Sequence, residues 1–96
     1  MKDKIKRIAD FYDIDNQSRQ LSEECAELIQ AVNKYHRFNN STDINMLIQN
    51  IAEEIADVEV MLEQMKHLLD INPEAIEAIK EKKVNRQLER IEREVH

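Results

Sequence analysis

Two short acidic patterns are the part of this chain best equipped for chemistry. "EECAE" supplies Glu23, Glu24 and Glu27, and "EEIAD" repeats the arrangement with Glu53, Glu54 and Asp57. If both stretches are helical, side chains advance by about 100° per residue, which puts Glu24 about 40° and Glu54 about 60° from the centre of their helices' apolar faces. On the same wheel Glu27 and Asp57 fall about 100–120° off centre, displaced in the same sense, while Glu23 and Glu53 point away. Packed antiparallel, two such helices bring Glu24, Glu27, Glu54 and Asp57 together beside a hydrophobic seam. Four ionised carboxylates there need a counter-charge or must take up protons. Residues 38–65 contain no lysine or arginine. A hard divalent cation meets the need most directly, and an all-carboxylate ligand set suits Mg²⁺ or Mn²⁺ better than a softer metal. Raised carboxylate pKa values are the alternative relief, and glutamates on a solvated helix surface are the ordinary one.

Apolar spacing gives the helices that carry these acids. Residues 2–12 carry Ile5, Ile8 and Phe11/Tyr12 on one face of a short helix,. Asp13, Asp15 and Asn16 punctuate it and offer caps for a second helix over 17–37, with Leu21, Cys25, Leu28, Val32 and Tyr35 along one face,. A loop at 39–43 precedes a third helix running to about Leu69, whose apolar face carries Ile44, Leu47, Ile48, Ile51, Ile55, Val58, Leu62, Met65 and Leu69. "NPE" at 72–74 then supplies an Asn cap, a proline at the first helical position and a first-turn glutamate that suits the helix dipole,. The last helix carries Ile76, Ile79, Val84, Leu88, Ile91 and Val95.

The totals agree with an all-α fold of two long antiparallel central helices in a four-helix arrangement. With 96 residues, the chain 1–96 is expected to form one domain with a modest core, so self-association is expected,. It contains no glycine and one proline, and 35% of its residues are charged. The lack of glycine excludes the P-loop and the dinucleotide fingerprint. A net charge of −6 and a pI near 5.0 argue against binding a nucleic-acid polymer or an anionic membrane,. Residues 1–15 lack the apolar run of a secretory leader, and the single Cys25 cannot close an internal disulfide, so a cytoplasmic protein is expected,. Cys25 lies near the centre of an apolar face and reads as core. The di-iron pattern Glu-x-x-His is absent before His36, His67 and His96, which read as surface residues,.

On these residues the chain resembles the MazG-like, all-α nucleoside triphosphate pyrophosphohydrolases. "EECAE" at 23–27, "EIAD" at 54–57 and "KKVNR" at 82–86 stand in that family's order and cover nearly the whole chain. The resemblance implies a MazG-like bundle completed by dimerisation, as a homodimer or a dimer of dimers. It implies Mg²⁺ ligands at Glu24, Glu27, Glu54 and Asp57, and gives catalytic roles to Glu23, Glu24 and Glu54, with Glu23 orienting or deprotonating water. Lys82, Lys83, Asn85 and Arg86 match the family's phosphate-binding group. Of these, Lys82, Asn85 and Arg86 share a helix face, and a solvated basic helix end balanced by Glu81, Glu89 and Glu92 is the plainer reading. For the base, Gln17, Gln20, Tyr12, Asn16 and the loop at 38–43 are candidates. The implied reaction hydrolyses a nucleoside triphosphate between its α- and β-phosphates, and Mg²⁺ would neutralise phosphate charge and make water more acidic for the attack.

A different class of function fits the same helices. The apolar face of the third helix and the Leu88, Ile91, Val95 tail would suit a non-catalytic module that docks partner helices. A degenerate relative that binds metal and nucleotide without turnover lies between the two.

Overall fold

The computed structural model describes residues 1–40 and 43–95. Helices α1 (Lys2–Phe38), α2 (Ile44–Leu68) and α3 (Pro73–Val95) account for nearly all of them, and no strand occurs among the described residues. Of the expected loop at 39–43, Ser41 and Thr42 lie outside the described residues, as does His96.

The expected break between the first two helices is a single residue. Asp13 alone leaves helical geometry, at φ 68° and ψ 173°, and helix resumes at Ile14 rather than at Gln17. The Asp13 carboxylate accepts from the Asn16 backbone N–H at 3.1 Å, so the residue that interrupts the helix also caps its second segment,. α1 thus comprises two helical segments that meet at a kink at Asp13, the anticipated place, and the four expected segments stand in three helices. Asp43 caps α2 by accepting from the Asn45 N–H at 3.0 Å, and Asn72 caps α3 by accepting from the Glu74 N–H at 2.9 Å.

α1 and α2 form the packed unit. Ala9, Ala31, Leu47, Val58 and Met61 are buried between them, together with the amides of Gln17 and Gln64. Gln17 Nε2 donates to Gln64 Oε1 at 2.5 Å, which satisfies both across the seam,. Asp10 reaches the half-buried His67 at 2.7 Å, so this histidine is a cross-helix partner rather than a plain surface residue.

α3 has no buried residue. Its apolar stripe stays open, with Ile79, Val84, Leu88, Ile91 and Val95 all more than half exposed. Part of the expected core face of α2 is also open, at Ile44, Ile48, Ile55 and Leu62. The radius of gyration is 17.0 Å, against about 12.5 Å for a compact domain of this length,. Among the described residues, no helix is long and apolar enough to cross a membrane.

Candidate metal centre

The antiparallel packing of α1 and α2 fixes which acids meet. Two turns along α1 from Gln17 lies Glu24, and two turns back along α2 from Gln64 lies Asp57, so the register set by the buried amide pair also aligns the carboxylates,. Glu24 faces Asp57, and Glu54 faces Glu27. The i,i+3 spacing within each motif does the rest, because residues three apart share a helix face.

One oxygen from each of Glu24, Glu27, Glu54 and Asp57 lies within 4.8 Å of the other three. Opposite ligands of an octahedral Mg²⁺ stand about 4.2 Å apart, and those of Ca²⁺ up to about 5 Å. The four residues offer the oxygen donors that a hard divalent ion takes, at separations on the scale of such a coordination shell,. Glu24 Oε2 and Glu54 Oε2 are shielded from water and accept no hydrogen bond. Buried acceptors are ordinarily satisfied, so these two orphaned oxygens could be met by a cation or by protons held on the cluster,.

The electrostatics have the same cause. Gln20 donates to Glu24 at 2.9 Å and alone would lower its pKa, but burial and the charges of Glu27 and Asp57 together hold it above the ordinary carboxylate range,. Glu54 is also raised, first by burial and then by Glu27, Asp57 and Glu24. Among the described residues, no lysine, arginine or histidine forms an ion pair with any of the four acids.

The remaining predicted residues fall into three places. Glu23 is exposed and stands outside the cluster; it lines a concavity of about 620 Å³ on α1 together with Tyr12, Asn16, Gln17 and Gln20, so four of the base-recognition candidates share one surface. Gln17 itself is 7% exposed with its amide committed to Gln64, which makes it a structural residue in this conformation. Lys82, Lys83, Asn85 and Arg86 sit exposed on α3, and none of the three cations is ion-paired with the cluster among the described residues. A concavity of about 720 Å³ runs along α3 from Pro73 to Asn85 and includes none of the four carboxylates. Cys25 is half-buried with a free thiol.

The wheel of the two motifs, stopped at the acids, misses their next neighbours. Gln30 and Lys34 continue the face of α1 beyond Glu27, Asn50 precedes Glu54 by one turn of α2, and all three line a concavity of about 290 Å³ that includes Glu27 and Glu54,. Extending the i,i+3/i+4 spacing by one step from each motif finds them. Comparison with protein-family models, with curated proteins and with solved structures returns no match to this chain.

Proposed function

We propose that this chain is a MazG-like, divalent-metal-dependent nucleoside triphosphate pyrophosphohydrolase. The observation that carries the reading is the cross-helix convergence of Glu24, Glu27, Glu54 and Asp57 around two orphaned oxygens. Mg²⁺, or Mn²⁺ in its place, would be held by these four residues and would supply charge neutralisation for the triphosphate and acidification of water. In the reaction a water oxygen bonds to the α-phosphorus, the bond from that phosphorus to the bridging oxygen breaks, and pyrophosphate leaves. The water's proton passes to a carboxylate of the cluster or to solvent. Catalysis on this plan is positional and electrostatic, and no nucleophilic side chain is required.

The proposal includes assembly, as a homodimer or a dimer of dimers. The open stripe of α3 and the open face of α2 support it, and packing against a second copy is the route by which Lys82, Lys83, Asn85 and Arg86 would approach a carboxylate cluster. The competing reading, a non-catalytic helical module, draws on the same exposed stripe but leaves the paired carboxylates without a task.

The deciding experiment is pyrophosphate release from a panel of ribo- and deoxyribonucleoside triphosphates with Mg²⁺, Mn²⁺ or EDTA. Release is expected with either metal and not with EDTA. Glu54→Gln is expected to lower it by more than about 100-fold, because removing an actual ligand should exceed the 10–100-fold typical of losing a ligand's supporting partner. Release that persists in EDTA or in Glu54→Gln overturns the metal site. No release from any triphosphate, with no stabilisation by either ion, favours the interaction module.

A further inference from the structure

The concavity of about 290 Å³ beside the carboxylates combines acids, a cation, amides and an apolar wall. Glu27 and Glu54 form its acidic end. Among the described residues Lys34 is the single cation that lines it, the amides of Gln30 and Asn50 supply further donors, and the buried Ala31 and Leu47 form its apolar part. Lys34 forms no ion pair among the described residues, although two carboxylates line the same hollow. The Lys34 ammonium therefore lies more than 4.0 Å from the oxygens of either carboxylate.

Such a space suits a small polyanion. Its oxygens can face a cation held by the carboxylates at one end and accept from Lys34 and the two amides at the other. At about 290 Å³ the hollow is at the lower limit of ordinary ligand pockets, too small for a whole nucleotide, and among the described residues no aromatic ring lines it to stack a base,. The concavity that does hold an aromatic residue, Tyr12, lies on the other side of the carboxylates along α1.

Resting on the function proposed above, we infer that Lys34, with Gln30 and Asn50, forms a subsite for the β- and γ-phosphates, so that the pyrophosphate portion of the substrate lies toward the Lys34 end of the seam. The substrate then has a fixed polarity, with its α-phosphorus at the carboxylates and its nucleoside toward Tyr12 and Gln20. Lys34 is a substrate-binding residue within the chain itself, and the subsite does not depend on α3. Without a metal the hollow's acidic end repels phosphate, so binding here is metal-dependent.

The test is calorimetric titration of inorganic pyrophosphate into the full chain, with and without Mn²⁺, for wild type, Lys34→Met, Lys34→Arg and Lys4→Met. Lys34 and Lys4 are both exposed helix residues, and far-UV circular dichroism checks that each variant stays folded. Wild type is expected to bind pyrophosphate only with Mn²⁺. Lys34→Met should bind roughly tenfold or more weakly, the worth of a lost charge-assisted hydrogen bond. Lys34→Arg should keep most of the affinity, and Lys4→Met should match wild type. Equal affinity in Lys34→Met and wild type, an equal loss in Lys4→Met, or no metal-dependent binding to wild type overturns the subsite. Mn²⁺ alone, read by the melting temperature of wild type against Glu54→Gln, tests the underlying metal site separately. A metal shift with unaltered pyrophosphate affinity in Lys34→Met removes only the subsite, whereas no metal shift removes the functional reading itself.

Discussion

At the level of single residues, the four clustered carboxylates carry a mutual repulsion that protons or a bound cation could relieve,. Glu24 and Glu54 are both raised in the metal-free protein, so each holds its proton more tightly folded than unfolded. Their contribution to stability is fully present below the unfolded value near 4.5 and is lost as pH rises through the raised folded values,. At neutral pH the metal-free protein therefore carries a repulsion that protons, a cation or amidation can remove. Glu54→Gln is expected to be more stable than metal-free wild type at pH 7, with the difference shrinking toward pH 4.5,. Thermal melts of both proteins across that range in EDTA check this, and a constant difference would show that Glu54 is solvated. Because ligands must be deprotonated, stabilisation of wild type by Mn²⁺ should grow over the same interval as pH rises.

Among the helices, the caps and the acidic motifs were legible because both are local. Asn72 and Pro73 start α3 where the "NPE" signal puts them, and the i,i+3 carboxylate pairs need only helical geometry to share a face,. The helix-ending geometry was less legible, because glycine, its usual marker, is absent from the chain. α2 ends with the Asp70 N–H donating to the His67 carbonyl and the Ile71 N–H to that of Lys66, a Schellman motif whose left-handed position is filled by Asp70 at φ 52°,. The positive φ at Asp13 was hidden for the same reason. That Lys34 and Asn50 line one concavity was not legible, because it depends on which faces meet across the seam, and the buried Gln17–Gln64 pair spans that seam. Asp70→Gly removes the Cβ that makes the left-handed conformation costly and should raise stability by about 0.5–1 kcal/mol, read from the urea midpoint. A loss of stability instead would mean that the Asp70 side chain contributes more than its backbone strain costs.

Taken as a whole, the single chain leaves too much surface open. Its accessible area is 8016 Å², whereas a compact monomer of 11.4 kDa exposes roughly 5,800 Å²,. The excess, roughly 2,200 Å², is well above the ~800 Å² per partner of a standard interface and falls among obligate assemblies. Its apolar part includes the α3 stripe, the face of α2 that bears Ile44, Ile48, Ile55 and Leu62, and Phe11, Ile29 and Val32 on α1. A second copy presents the same surfaces, and mutual packing would cover them in a closed, symmetric arrangement. Light scattering coupled to size exclusion is therefore expected to give at least twice 11.4 kDa, about 23 kDa, at micromolar concentration,. Replacing Leu88 and Ile91 together by glutamate puts two charges into the α3 stripe and should shift the protein toward monomer, with loss of the concentration dependence of the melting temperature. A wild-type monomer at high concentration would refute the assembly while leaving the carboxylate cluster, which α1 and α2 build within one chain, untouched.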